Sequence, residues 1–147
     1  MADWNKRFMD VSRLVASWSK DKKKKVGAII VKNNRIIGTG FNGFVKGALD
    51  NDESKHQKPK KNFHVIHAET NSIYNCAEAG VSTKGATIFV TWHPCSSCVN
   101  AIIQSGIIKL ICPEPDFTNK SYADSFKEAQ EILKDAKVEV IYYKEEE

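Results

Sequence analysis

Long apolar runs are absent from this sequence. No stretch approaches the roughly 20 apolar residues that a membrane-spanning helix needs, and the residues after Met1 lack the apolar segment of a secretory signal peptide. Cysteine is scarce, with four in 147 residues, and no segment is repeated along the chain. We therefore expect a cytoplasmic protein with no membrane partner, in a reducing environment that keeps cysteines available as metal ligands.

A strong excess of charge is also missing. The formal net charge of +4 is too small to indicate a nucleic-acid partner by itself. Much of the positive charge lies in two lysine-rich stretches, residues 20–25 and 55–61. Most of these lysines are expected to be solvated, but the mild excess fits an anionic small-molecule substrate or effector. With 41% hydrophobic and 27% charged residues, the composition is typical of a soluble globular protein. Residues 1–147 are predicted to form a single domain.

Hydrophobic periodicity predicts an opening helix and a hairpin, followed by alternating helices and strands. Asn33-Asn34 marks the turn of the hairpin. The polar stretch 46–62 has no period and is predicted to be a loop that is mobile or folds over a ligand. The predicted helices are 4–19, 64–80, one beginning near Pro94 and 122–134, and the predicted strands are 26–31, 35–39, 86–91, 107–111 and 138–142. This order predicts an α/β fold with a mixed five-stranded sheet and helices on both faces.

Two short motifs, H-A-E and P-C-S-S-C, contain residues that suit a metal ion. The imidazole of His67 and the thiolates of Cys95 and Cys98 make three zinc ligands, and three rather than four protein ligands are typical of a catalytic zinc. The remaining position is taken by a water whose pKa zinc lowers to about 7. Glu69, close to the histidine, is placed to move the proton of that water. The pattern H-x-E followed by P-C-x-x-C is the signature of zinc-dependent nucleobase deaminases.

A redox-active cysteine pair and a structural zinc site are the alternatives for the second motif. His93 would then be the fourth ligand of a closed site, but such a site would leave Glu69 without a task.

Each motif is predicted to begin a helix, so two helix N-termini would meet at the metal. Their backbone N–H groups would stabilise the thiolate charge.

Several further segments resemble the deoxycytidylate (dCMP) deaminases of the cytidine deaminase-like superfamily, and the resemblance extends over about residues 4–142. The matching segments are Ser19-Lys20-Asp21, Gly40-Phe41-Asn42-Gly43, His67-Ala68-Glu69-Thr70-Asn71 and Gln104-Ser105-Gly106-Ile107. The resemblance implies a three-layer α/β/α cytidine deaminase-like fold, one catalytic zinc ion and hydrolytic deamination of dCMP to dUMP and ammonia. The alternatives are deamination of dCTP as well as dCMP, deamination of another cytosine or adenine compound, and a zinc-stabilised binding module without turnover.

The resemblance also implies roles for individual residues, with Glu69 as the catalytic proton carrier. The residues implied to contact the substrate are Asn42 at the sugar, Ser19 and Lys20 at the phosphate, Phe117 against the base, and Ala68. Core packing is an equally good account of Phe117. Many family members are activated by dCTP and inhibited by dTTP at a site between subunits, and regulated members suggest a hexamer. The positions that match the effector site are Gly40, Phe41, Gly43 and Asn71.

Some positions depart from the family pattern. Lys22 stands where a proline is common, and Phe41 stands where a tyrosine is common. Some relatives bind a second zinc ion, but the nearby candidates here are His56 and His64, and no cysteine precedes Cys76. A single zinc ion is therefore predicted.

Overall fold

The structure is a computed structural model, and it describes residues 3–144. The helices are α1 (Trp4–Ala16), α2 (Lys60–His64), α3 (Ala68–Ala79), α4 (Ser96–Gln104) and α5 (Ala123–Asp135). The strands are β1 (Gly27–Lys32), β2 (Arg35–Phe41), β3 (Thr87–Val90), β4 (Lys109–Cys112) and β5 (Glu139–Tyr142). A short 3-10 helix covers Glu53–His56.

The strands form one five-stranded sheet in the order β2-β1-β3-β4-β5. Strand β1 runs antiparallel to both β2 and β3, whereas β3, β4 and β5 run parallel to one another. Parallel neighbours need a crossover connection, and α4 and α5 supply it. The mixed five-stranded sheet predicted from the sequence is confirmed.

Side chains that alternate along the strands bury themselves against helices on opposite faces of the sheet. On one face, Ala28 and Ile30 of β1 join a core that includes residues of α3, α4 and α5. On the other face, Ile29 and Val31 pack into a cluster with Met9 of α1. The molecule therefore has three layers, as the family resemblance implies.

The predicted helix 64–80 is wrong at its start. Ile66 and Gly43 exchange two backbone hydrogen bonds of 2.7 and 3.1 Å, which form an isolated β-bridge. Because this bridge requires extended backbone, α2 ends at His64 and α3 begins only at Ala68. The predicted end is confirmed, since Gly80 caps α3 in a left-handed conformation with φ of 71°.

Two other predicted segments differ from the structure. Helix α1 ends at Ala16 rather than at residue 19, and the hydroxyl of Ser19 instead donates to the carbonyl of Asn42 at 2.7 Å. The stretch 46–62 is not wholly irregular, because it contains the 3-10 helix and part of α2.

None of the described helices has the length and apolarity that a bilayer crossing requires. That residues 1–147 form a single domain stays a prediction, and both ends of that range lie outside the described residues.

Candidate active site

The N-terminus of α3 carries the first motif. His67 is the residue that precedes the helix, in extended conformation with φ of −69° and ψ of 154°, and its side chain makes no capping hydrogen bond. Its imidazole is therefore left for another partner. Glu69 lies in the first turn of the same helix and is only 4% exposed. The bridge between Ile66 and Gly43 fixes where this helix starts, and so fixes the position of both side chains.

The N-terminus of α4 carries the second motif. Cys95 precedes the helix in extended conformation, and Cys98 lies in its first turn. The backbone N–H of Ser96 donates to the hydroxyl of Ser125 on α5 at 2.9 Å, which anchors the start of α4. As predicted, the two helix N-termini meet. The Nδ1 atom of His67 lies 3.2 Å from Sγ of Cys98 and 3.5 Å from Sγ of Cys95.

This group has the geometry and the donor atoms of a zinc site. The ligand atoms of His67, Cys95 and Cys98 all lie within 4.8 Å of one another. A tetrahedral zinc with Zn–S of about 2.3 Å and Zn–N of about 2.0 Å separates its nitrogen and sulfur ligands by about 3.5 Å. The observed N···S distances fit that value. Among residues 3–144 no other group of three such side chains is close enough to hold a metal.

His93 lies outside this group, which argues against a closed site with four protein ligands. Its Nδ1–H donates to the carbonyl of Pro94 at 2.9 Å, and its ring packs against Phe126 and Tyr142. The Nε2 atom is buried without a hydrogen-bond partner among the described residues. His93 is only 1% exposed, so it is a buried histidine.

The three ligand side chains strongly affect one another's protonation. The hydrogen bond with the Cys98 thiol, together with those of His67 and Ser97, outweighs burial and lowers the pKa of Cys95 to about 3. The same contact and burial raise the pKa of Cys98 above its ordinary value. The hydrogen bond to Cys95 raises the pKa of His67. Zinc takes thiolate and neutral imidazole ligands, so metal binding favours the deprotonated form of Cys98 and the neutral form of His67.

Glu69 has an environment suited to proton transfer. Burial raises the pKa of Glu69 to about 7, although the charge of His67 acts in the opposite direction. A carboxyl group with a pKa near the operating pH can both accept and release a proton. Glu69 lines a cavity of about 350 Å³, and His67, Ala68 and Cys95 line it as well. The cavity therefore brings Glu69 and two of the three candidate zinc ligands, His67 and Cys95, to one space of the size of a small-molecule site.

Known proteins are similar to this chain in sequence and in fold. Residues 2–114 match the family model described as the cytidine and deoxycytidylate deaminase zinc-binding region. The chain belongs to the cytidine and deoxycytidylate deaminase family. An uncharacterised deaminase of Aliivibrio fischeri is 38% identical, with 97% of this chain and 95% of that protein covered. Human deoxycytidylate deaminase is 36% identical, with 84% of this chain and 68% of that protein covered.

Comparison with a solved structure also points to a deoxycytidylate deaminase. The dCMP deaminase of the cyanophage S-TIM5, in complex with dCMP and dUMP, superposes with a TM-score of 0.77 at 29% identity. The superposition covers 94% of this chain and 95% of that chain. The cytidine deaminase-like fold is confirmed, and the protein is an enzyme of the deoxycytidylate deaminase type.

Asn42 and Ser19 of this deaminase hold the backbone around the cavity. Asn42 lines the cavity, but its Oδ1 accepts from the N–H of Val26 at 2.9 Å and its Nδ2 donates to the carbonyl of Lys24 at 2.8 Å. One amide hydrogen is left for a sugar. The buried hydroxyl of Ser19 is occupied by Asn42 and by the N–H of Asp21 and does not line the cavity. Ser19 thus supports the backbone beside the cavity, and its contact with the phosphate stays a prediction.

Lys20 and Phe117 also lie away from the cavity. The Lys20 ammonium pairs with Asp50 at 2.8 Å and lines a different cavity. Phe117 does not line this cavity, and its exposure of 47% shows that the core-packing alternative is wrong as well. The aromatic side chains that line it are Trp92 and Tyr122, whose rings meet edge to face with centroids 4.9 Å apart.

Sequence reasoning missed Tyr122 and an ion pair at the cavity. Asp21 and Lys61 both line the cavity, and their side chains pair at 2.8 Å. The sequence signal for Asp21 was its place in the S-K-D segment. No local pattern marked Lys61 among the other lysines of its stretch, because its partner is far away in the chain.

Three of the four residues matched to the effector site line a second cavity of about 680 Å³. Phe41, Gly43 and Asn71 lie there, and Nδ2 of Asn71 donates to the carbonyl of Phe41 at 2.9 Å. Gly40 does not line this cavity. It faces α3, where an added Cβ would lie 2.3 Å from the backbone nitrogen of Ser72.

Proposed function

We propose that this deaminase removes the 4-amino group of dCMP by hydrolysis and releases dUMP and ammonia. The observation that carries the proposal is the buried carboxyl group of Glu69 beside the His67, Cys95 and Cys98 group, in a cavity with lysines at its mouth. The related cyanophage enzyme was solved with dCMP and dUMP bound, which supports this substrate and product.

When zinc is held by the three ligand side chains, it supplies a water that is ionised near neutral pH. Glu69 acts as the proton carrier, because its carboxylate is close to the ligand group without belonging to it. It accepts a proton from the attacking water and passes it to N3 of the cytosine. It then takes the proton of the new C4 hydroxyl and delivers it to the amine, which leaves as ammonia while the C4 carbonyl forms. Trp92 and Tyr122 enclose the base and limit access of other water.

The proposal is tested by incubating the zinc-loaded protein with dCMP and following ultraviolet absorbance and ammonia release. Turnover of dCMP that exceeds turnover of dCTP and cytidine supports it. No absorbance change with any cytosine nucleotide would overturn it and favour a zinc-stabilised binding module. Metal analysis of the active protein tests the single zinc ion, for which one equivalent per chain is expected.

The second cavity supports the finer proposal that dCTP activates and dTTP inhibits the enzyme. Phe41 and Tyr74 offer aromatic surface there, and Lys20 and Lys46 offer positive charge. The side chains of Trp18 and Tyr74 at this cavity are 52% and 59% exposed, which supports a neighbouring subunit of a homo-oligomer covering them. Sedimentation with and without dCTP or dTTP tests both effector binding and the hexamer. The cytoplasmic location stays a prediction.

A further inference from the structure

The segment between β2 and α3, residues 44–66, is here called the strap. Lys61 in α2 of the strap forms an ion pair with Asp21, which precedes β1, at 2.8 Å. The two side chains are only 13% and 7% exposed. The other lysine–carboxylate pairs of the described residues are more exposed at one or both partners. A pair this sheltered fixes geometry more strongly than a solvated surface pair does.

Asp21 also organises the turn on the other side of the cavity mouth. Its Oδ1 accepts from the backbone N–H groups of Lys23 at 2.9 Å and Lys24 at 3.1 Å. Its Oδ2 binds Lys61. One carboxylate therefore connects the lysine-bearing turn to the strap, and it holds the two sides of the mouth together.

Positive charge at this mouth exceeds the negative charge available to balance it. Lys23, Lys24, Lys58 and Lys61 line the cavity, against the single carboxylate of Asp21 at the mouth. Glu69, the other lining carboxyl group, is buried with the zinc ligands. Within residues 3–144, the side chains of Lys23, Lys24 and Lys58 form no ion pair. Such a mouth favours a ligand with two negative charges, as a 5′-phosphate has.

We propose that Lys61 and Lys58 form the strap half of a binding site for the 5′-phosphate of the substrate, with Asp21 orienting Lys61. The ammonium group of Lys61 has three N–H donors, so it can bind a phosphate oxygen while Asp21 keeps one donor. Lys23 and Lys24 complete the site from the turn. This proposal rests on dCMP as the substrate, and it replaces Ser19 and Lys20 as the expected phosphate contacts.

Lys61→Met tests the proposal, with Lys60→Met as the matched control. Both substitutions remove one ammonium group from α2, but Lys60 is exposed, donates to Ser54 and does not line the cavity. A lost charge-assisted hydrogen bond should raise KM for dCMP about 10- to 100-fold in Lys61→Met, with a much smaller change in kcat. Lys61→Arg should restore most of the affinity. Inorganic phosphate should inhibit the wild type competitively and inhibit Lys61→Met less.

A second variant keeps the test valid if the unpaired Asp21 destabilises Lys61→Met. Asp21→Asn combined with Lys61→Met leaves no buried charge unpaired, and the same rise in KM is expected. If KM and phosphate inhibition stay at the wild-type values in these variants while kcat or thermal stability falls, Lys61 only supports the structure and the proposal is wrong. A wild type that does not deaminate dCMP refutes the proposed function itself, which is a different result.

Discussion

Replacement of Gly40 by alanine should leave the protein folded but strongly lower its turnover. Gly40 lies on β2, where its backbone pairs with Ala28 and its Cα faces α3. An added Cβ would lie 2.3 Å from the nitrogen of Ser72, 2.6 Å from the carbonyl oxygen of Ala68 and 2.8 Å from Cα of Ser72. All three are backbone atoms, so no side-chain rotation relieves the clash.

The size of the effect follows from these distances. Ordinary contact begins at 3.4 Å, so α3 must move away from β2 by about 1 Å. Overpacking of this kind costs about 1–3 kcal/mol of folding free energy, which a domain of ordinary stability survives. The first turn of α3 carries Glu69, and His67 directly precedes it. A displacement of about 1 Å at catalytic groups can lower turnover about 100-fold.

Thermal unfolding, zinc content and kcat for dCMP should be measured together. Gly27→Ala is the matched control, because its Cβ would lie 2.1 Å from the carbonyl oxygen of Ser12 and 2.5 Å from the nitrogen of Ala16 in α1. That helix packs on the other face of the sheet and carries no ligand. Gly27→Ala should lose stability while its folded fraction keeps most of its kcat. A folded, zinc-loaded Gly40→Ala enzyme with wild-type kcat would refute the reasoning.

Three further predictions concern the site and the ion pair. Glu69→Gln should retain zinc and lose about 100- to 10,000-fold in kcat, and near-normal turnover would contradict its role as proton carrier. Cys98→Ser should lose zinc on gel filtration, whereas a full equivalent of metal would remove Cys98 from the ligand set. Burial opposes the shift, but hydrogen bonds from Lys61 and nearby backbone N–H groups lower the pKa of Asp21 overall. The wild type should therefore be more stable than Asp21→Asn above pH about 4, and that difference in urea-unfolding free energy should shrink as the pH falls through the lowered pKa; a constant difference would contradict this.

The sequence was sufficient to predict the layers and the ligand group because both depend on local patterns. Alternation in β1 places Ile29 and Ile30 on opposite faces, and the structure shows them in different cores. The cysteine spacing places both thiols at the start of α4, whatever the rest of the fold does. His67 joins the two thiols because it lies at the N-terminus of α3, and that N-terminus meets the start of α4.

The parts that the sequence could not predict depend on partners distant in the chain. The break before α3 arises from a bridge to Gly43, which the helical periodicity of residues 64–80 does not reveal. Lys20 and Lys61 belong to similar lysine-rich stretches, and only the fold brings Lys61 to the catalytic cavity and Lys20 to another one. Phe117 and Tyr122 are both aromatic residues of the segment between β4 and α5, but of the two only Tyr122 lines the cavity.

The two cavities differ in whether their lysine ammonium groups are paired with carboxylates. This difference predicts how the affinity for an effector would respond to removal of a carboxylate. At the second cavity, Lys20 pairs with Asp50 and Lys46 pairs with Glu78, and all four side chains line it. A nucleotide phosphate bound there must compete with those carboxylates for the ammonium groups. Removing one competing carboxylate from an exposed pair is worth about 0.2–1 kcal/mol, which corresponds to about a 1.5- to 5-fold gain in affinity.

On the proposal that dTTP inhibits from this cavity, Asp50→Asn should lower the dTTP concentration that gives half-maximal inhibition by that factor. The value of KM for dCMP without effector should not change, because Asp50 does not line the catalytic cavity. The measurement is a dTTP titration of dCMP turnover at fixed ionic strength, with Asp52→Asn as control, since Asp52 caps the 3-10 helix and lines neither cavity. An unchanged dTTP response in Asp50→Asn would mean that Lys20 does not contact an effector phosphate, because releasing its ammonium group would then have changed nothing at the bound nucleotide.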